Sequence, residues 1–428
     1  MSEWIEAPLS QLVTFQKGRK VDTSPFAKEG FAAYLGASGI EDGNDGYAST
    51  QFAILAKPTD TLMLWDGERS GLVGYGKQGV VASTVTKLTP NNQIEPVYLY
   101  YLLSDRFNWV QHRRTGTGVP HVPKDLGRIL KLRYPKSPEA QKKIATILTT
   151  ILTSIDTTIE KTEALIEKYQ QFKAGLMHDL FTRGVLSNGQ LRPPRDQAPE
   201  LYQETVIGWI PKDWVVVRMV ELAENRKGST TIGPFGSDLV ATDYRLEGVP
   251  VVFVRDVKES GFEWNSETYV SEKKAIQLNA HTVKPNDVLA TKMGLPPCIS
   301  CLYPEWMPNG VITADMIRLV PDSSKVDGYW LTTAINHDRV KRQVAAITAG
   351  VTRPKVTLAD FRGIKIAKPE LVEQLTASER IRAMQKKIDV ELARVAKLKS
   401  QKLGLMQDLL TGKVQVKVDV PAAEATSG

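Results

Sequence analysis

One thirteen-residue stretch of this chain occurs twice, with eight positions the same. Lys173-Ala-Gly-Leu-Met-His-Asp-Leu-Phe-Thr-Arg-Gly-Val185 returns as Lys402-Leu-Gly-Leu-Met-Gln-Asp-Leu-Leu-Thr-Gly-Lys-Val414. A second echo opens each half, where Trp4, Leu12, Lys17 and Gly18 return as Trp214, Leu222, Lys227 and Gly228. The segments between the echoes hardly match. A frame used twice around divergent interiors predicts one scaffold carrying two readers of different things.

With 428 residues the chain is long enough for two or more domains, each with its own core. Its 42% apolar and 24% charged residues are those of an ordinary globular protein. The N-terminus lacks a basic region followed by an apolar run, and no apolar stretch reaches about 18 residues, so a cytoplasmic protein without membrane contact is expected. A net charge of +7 and a pI near 9.1 suit a polyanionic partner. Both cysteines sit in Cys298-Ile-Ser-Cys301. A structural zinc needs about four ligands and no further Cys pair or paired histidines supply them, so buried thiols and no metal are expected.

The order along the chain is domain, long helix, domain, long helix. Residues 1–136 mix short strand-like runs, such as Thr61-Leu-Met-Leu-Trp65 and Gly79-Val-Val-Ala-Ser-Thr-Val-Thr86, with a short helix entered at Pro96. At Ser137-Pro138-Glu139 a cap, a first-turn proline and an acid at the positive dipole end start a helix over 137–183. Its seam is expected in two rows seven residues apart: Ile144, Ile151, Thr158, Leu165, Phe172 and Leu148, Ile155, Thr162, Tyr169, Leu176. A polar, Pro-rich linker over 184–205 should be loosely ordered. A second mixed domain spans 206–369, with strand-like Trp214-Val-Val-Val-Arg218, Val249-Pro-Val-Val-Phe-Val254 and Asp287-Val-Leu-Ala-Thr291. A second long helix over 370–413 carries Ile388 and Val395 at helical spacing, and 414–428 reads as a disordered tail. Each apolar stripe needs a partner, and the simplest is the other helix, paired antiparallel. The fold class is thus mixed α/β: two globular domains separated by a pair of antiparallel coiled-coil helices, with an internal pseudo-two-fold repeat.

Enzymatic motifs are present only as lettering. Gly74-Tyr-Gly76-Lys-Gln-Gly79 fits a dinucleotide fingerprint, but it works only where a helix begins at the glycines. The sequel Val80-Val-Ala-Ser-Thr-Val-Thr86 is β-branched and alternating, which predicts a hairpin turn. The five histidines lie far apart and make no recognisable pair with Ser, Cys or Asp, so no catalytic residue is expected. A self-sufficient nucleotide- or S-adenosylmethionine-dependent enzyme built on the Gly74–Gly79 loop is the competing reading, and a purely structural coiled-coil adaptor is a third.

Two divergent domains, each followed by a long helix ending in Gly-Leu-Met-x-Asp-Leu-x-Thr, resemble the specificity subunit of a type I restriction–modification enzyme. Gly116-Thr-Gly-Val-Pro-His-Val122 leading into Ser137-Pro-Glu-Ala-Gln resembles the exit of a first target-recognition domain. Gly233-Pro-Phe-Gly-Ser237 and Thr313-Ala-Asp-Met-Ile-Arg318 resemble parts of a second. The second exit, Thr348-Ala-Gly-Val-Thr-Arg-Pro354, lacks the Pro-His. In the second helix Ile388-Asp389 also stands closer to Gly404 than Ile155-Asp156 does to Gly175. The resemblance implies a non-catalytic, sequence-specific reader of double-stranded DNA. Each domain would read one half of a bipartite asymmetric site, and the helices would set the spacer. It also implies two methylation subunits and motor-nuclease subunits as partners. S-adenosylmethionine, ATP and Mg would sit on those partners, with no cofactor in this chain.

A DNA reader needs side chains that pair with base edges and others that hold phosphates. The candidates are Lys17, Arg19, Lys20, Arg69, Lys77, Arg113 and Arg114 in the first domain. Those in the second are Arg226, Lys227, Arg255, Lys292, Arg353 and Lys355. Phe235 would stack or wedge at the DNA, or else anchor its loop. For the helix pair or a docked subunit the candidates are Ile144, Ile151, Ile155, Leu165, Leu176, Met177, Ile388, Val395, Leu405 and Met406. Gly175 and Gly404, each costly inside a helix, suggest either close helix approach or ordinary fraying toward a helix end.

Overall fold

The computed structural model describes residues 3–41, 43–116, 118–348 and 354–416. It divides into two compact units, Met1–Ala164 with Glu391–Gly428, and Leu165–Val390. The tail from 417 onward lies outside the described residues, whereas Val416 packs against the first unit's core.

Both units have the same topology despite their dissimilar sequences. In the first, a four-stranded antiparallel sheet runs Val13–Lys17, Val85–Pro90, Thr61–Leu64, Val73–Gly74. In the second the matching order is Thr230–Ile232, Met316–Leu319, Val288–Thr291, Ser300–Leu302. A five-stranded sheet follows, Thr23–Ser24, Tyr47–Ser49, Phe31–Leu35, Gly79–Val81, Leu55–Ala56. Its counterpart is Tyr244–Arg245, Tyr269–Val270, Val249–Val252, Gly310–Ile312, Thr282–Val283. Each five-stranded sheet contains one parallel pair, Tyr34 against Val80 and Val251 against Val311. In both units a two-stranded ladder joins the start of the domain to its end, Trp4 opposite Pro135 and Val215 opposite Lys368.

This topology corrects one echo. Gly18 and Gly233 each follow the first strand of the four-stranded sheet, and each N–H donates to a neighbouring strand, to Val85 and Met316. A Cβ at either would stand 2.1 Å from a backbone oxygen, of Ala82 or Thr313. Gly18 is therefore matched by Gly233, and the Lys227-Gly228 echo is displaced by extra residues ahead of the strand Thr230–Ile232. The Gly74–Gly79 loop is a turn between strands. Gly74 and Gly79 are required by the backbone oxygens of Ile40 and Ala33, which lie 1.9 and 2.2 Å from where a Cβ would be.

The first long helix is Pro138–Thr182, 45 residues, capped by Ser137, whose Oγ accepts from the Ala140 N–H. The second is Leu371–Leu410, 40 residues. Within each unit segments of the two helices pack antiparallel. Lys402 pairs with Asp156 at 2.6 Å and Lys399 with Glu163 at 2.9 Å in the first unit, and Lys173 donates to Gln385 at 2.6 Å in the second. Lys173 and Lys402 are the opening residues of the repeated motif, so the repeat presents one ammonium to the opposite helix in each unit. Burial pulls the Lys173 pKa below its usual value, against the opposing pull of Asp389.

One of the two expected seam rows is displaced by a residue. The row through Leu148, Ile155 and Thr162 faces inward, but its companion is Ala145, Leu152, Ile159 and Ile166. Ile151 is 37% exposed and Phe172 65%. Adjacent helical rows lie about 100° apart, and both were apolar here, so periodicity alone did not choose between them. Ile144 is buried in the same first-unit core cluster as Ala145, Leu148 and Leu152, and Leu165 is half-buried. Ile388 and Val395 are buried, while Leu405 and Met406 pack on the first unit's core and Leu176 and Met177 on the second's.

Two glutamines fasten the helix bases to their domains in the same way, each with no exposed surface. Gln141 donates to the carbonyls of Gln93 and Pro135 and accepts from the Glu95 N–H. Gln374 donates to Lys325 and Pro369 and accepts from Asp327. Glu95 and Asp327 in turn cap the short helices Pro96–Asp105 and Gly328–Ile335. The helix ends are also matched. Gly184 and Gly412 have φ of +69° and +75°, and a Cβ on either would meet Trp214 at 2.5 Å or Trp4 at 2.6 Å. The indole that opens each domain thus covers the glycine that ends a helix.

The segment after Gly184 is packed rather than loose. Arg192 is only 4% exposed and pairs with Glu373 at 2.5 Å and with Asp213. Glu373 also accepts from the Trp214 indole and the Val185 N–H. Burial opposes the Arg192 charge, but its bonds to Glu373 and Asp213 outweigh that and raise its pKa.

Candidate nucleic-acid interface

Beyond the four-stranded sheet of each unit, three chain segments form a rim, joined by equivalent backbone bonds. The first leaves the opening strand through Gly18 or Gly233. The second leaves the central strand at Trp65 or Lys292, whose N–H groups donate to Thr84 and Asp315 at 2.7 Å in both cases. The third is the domain exit, which bridges at His121 to Asp66 and at Lys355 to Met293. Val122 and Val356 donate to Trp65 and Lys292 at 2.9 Å.

The shared backbone frame pairs side chains of different chemistry. Lys17 matches Ile232, Arg19 and Lys20 match Pro234 and Phe235, Trp65 matches Lys292, and Asp66 matches Met293. In the first unit Lys17 and His121 flank Asp66, with Lys17 Nζ 2.9 Å from Oδ2 and His121 Nδ1 2.7 Å from Oδ1. This His–Asp pair was hidden in the sequence by 55 residues of separation. In the second unit Phe235 is exposed, not a core anchor, and Lys292 Nζ lies 4.8 Å above its ring.

The rim gathers Lys17, Arg19, Lys20, Lys292 and Lys355 from the candidate cations. Others are engaged within their own domain. Arg69 pairs with Glu41 at 2.7 Å and donates to the Ala37 carbonyl. Arg114 donates to the Glu68 and Gln111 carbonyls, stapling the rim loop from behind, while Arg113 stacks 4.0 Å from the Trp109 ring. Lys77 lines a separate cavity with Glu41, Tyr75 and Tyr100. Arg226, which pairs with Glu224, and Lys227 line a groove with Lys325, Arg362 and Lys368. Arg255 lies over Phe253 at 4.4 Å. Arg353 lies outside the described residues.

Gly175 and Gly404 have nothing within 4 Å of an added Cβ, so close approach of the two helices does not explain them. Cys298 and Cys301 are buried and free, and burial pushes both thiols up to about 12. Among the described residues no cluster of His, Cys, Asp and Glu could hold a metal, and no helix is long and apolar enough to cross a membrane.

The sequence and fold have relatives. Residues 1–168 match the family described as type I restriction modification DNA specificity domain. The type I restriction enzyme MjaVIII specificity subunit of Methanocaldococcus jannaschii is 26% identical over 429 aligned positions, covering 97% of this chain and 94% of that one. The type I restriction–modification S subunit from M. genitalium has a TM-score of 0.51 at 15% identity, over 98% and 97% of the two chains. A chain from a structure of a type I R–M system gives 0.54 at 15% identity, over 96% and 98%. These structures are similar in fold, and the MjaVIII relative matches in sequence from end to end. With the duplicated domains and helices described above, they make the chain similar, over nearly its whole length, to type I restriction–modification specificity subunits.

Proposed function

We propose that the two domains read the two halves of a bipartite asymmetric site in double-stranded DNA, and that the long helices set the gap between the halves and dock two methylation subunits. The observation that carries this reading is the rim, where one backbone frame recurs with different side chains. A structural adaptor would have no use for that divergence, whereas two readers of different sequences require it. The net charge of +7 suits the phosphate backbone. Motor-nuclease subunits would complete the restriction enzyme, with S-adenosylmethionine, ATP and Mg on the partners.

Docking of methylation subunits is supported by the open helix faces. Gly175 and Gly404 occupy the same place in the repeated motif, each with free space above it. Phe172, three residues before Gly175, and Leu403, one residue before Gly404, are 65% and 63% exposed. An open glycine position that recurs once in each helix suits two equivalent partners.

The test exchanges residues 1–136 for the first domain of another family member and maps methylated adenines in cells carrying the methylation partner. One half of the motif should change and the other persist. A change in both halves, or in neither, would refute the division of labour.

A further inference from the structure

At one rim position the two units keep a similar side-chain chemistry. His121 and Lys355 stand at the same backbone site, each fixed by a bridge to the loop after the central strand and by the following valine's bond to Trp65 or Lys292. Apart from the glycines and valines that form the shared backbone frame, the rim pairs named above, Lys17 with Ile232, Arg19 with Pro234, Lys20 with Phe235, Trp65 with Lys292 and Asp66 with Met293, change chemical class. We propose that His121 and Lys355 each hold a DNA phosphate, one in each half-site, and read no base.

The inference rests on the DNA-reading function proposed above and assigns one part of it. Residues that read bases must differ between domains that recognise different sequences, whereas the phosphate backbone is the same polyanion whatever the sequence. A nitrogen donor kept at one position while its neighbours diverge therefore fits the ligand that does not vary. Both side chains are exposed enough to reach it, His121 with 45% of its side-chain surface free. A Cβ at Gly67 or Gly118 would meet nothing within 4 Å, whereas one at Gly116 would stand 3.1 Å from the His121 ring, so glycine at 116 leaves the imidazole its room.

The neighbour on the second segment explains how two residue types serve one purpose. A lysine ammonium can swing its donors toward a phosphate unaided, and Lys355 stands opposite Met293, which offers it no charge. An imidazole ring must be turned and must carry hydrogen on the correct nitrogen. Asp66 Oδ1, 2.7 Å from Nδ1, takes the hydrogen bond of that nitrogen and fixes the ring. That leaves Nε2 as the ring atom facing the phosphate, and it donates whenever it carries hydrogen. Asp66 is thus a positioning residue for His121.

The experiment uses the chain assembled with its methylation subunits and measures duplex binding by fluorescence anisotropy over a salt series, with the methylated motif mapped in cells. His121→Ala and Lys355→Ala should each weaken binding about tenfold, for cognate duplex and for duplexes altered in either half alike. Each should also flatten the log–log salt dependence by about one unit and leave the methylated motif unchanged. His121→Lys should restore affinity and slope, and Asp66→Asn should weaken binding beside His121 but not beside the introduced lysine. Relaxed recognition of one base in either alanine variant would make that residue a base reader and overturn the proposal, as would unchanged affinity and slope. Failure of the parent complex to distinguish cognate from scrambled duplex would instead overturn the DNA-reading function itself.

Discussion

Replacing Gln141 or Gln374 with leucine should loosen the attachment of a domain to its long helix. Each glutamine is fully buried and satisfies two backbone carbonyls and one N–H. Orphaning a buried polar group costs about 1–3 kcal/mol, so three orphans cost between about 3 and 9 kcal/mol. The second lone pair of each carbonyl and local relaxation favour the lower end, and the apolar leucine returns about 1–2 kcal/mol. A net loss of about 2–4 kcal/mol remains. Urea unfolding gives this directly, with exposed Thr146→Ala as a control expected within about 0.5 kcal/mol. Hydrogen exchange gives it locally, since the Glu95 amide in Gln141→Leu and the Asp327 amide in Gln374→Leu should exchange on the order of 100-fold faster. If both variants behave like the control, the glutamines do not hold the helix bases and the inference from their geometry is wrong.

Glu373→Ala should cost about 2–4 kcal/mol in thermal or urea unfolding, because it removes one of the two carboxylates paired with the buried Arg192 guanidinium, leaving Asp213, and removes the partner of Trp214. His337 should make stability depend on pH. Burial first, and Arg339 second, lower its pKa to about 4, so between about pH 6.5 and 4 the unfolded chain binds the proton and the folded chain does not. That contribution is complete above pH 6.5 and is lost as pH falls toward 4, at up to about 1.4 kcal/mol per pH unit, so His337→Asn should unfold with a shallower acid dependence than the parent. Four residues inserted in each long helix at matched positions add about 6 Å. At about 3.4 Å per base pair the methylated half-sites should move apart by one or two base pairs, and an active variant with the parental gap would show that the helices do not set it.

Much of the fold was legible because local signals agreed with tertiary ones. Ser137-Pro138-Glu139 starts the first long helix where the cap chemistry predicts, and β-branched runs such as Val249–Val252 became strands. The rim was not legible. Asp66 and His121 meet across a sheet, and no local pattern carries a contact between residues so far apart. Basic residues were visible as candidates, but their letters could not separate Lys355, free on the rim, from Arg114, whose guanidinium staples a loop. Gln141 and Gln374 left one faint trace, each falling three residues past the first residue of its helix.

The sequence by itself determined that this is a duplicated scaffold, because repeated motifs and long apolar stripes are encoded residue by residue in the local pattern. Tertiary structure alone decided that the unlike interiors share one strand order, since pairing depends on which backbones meet rather than on which side chains they carry. It also decided which apolar row became the helix seam. Both rows could be buried, and only the surface of the opposing helix and domain made Leu152 and Ile159 better placed than Ile151 and Phe172.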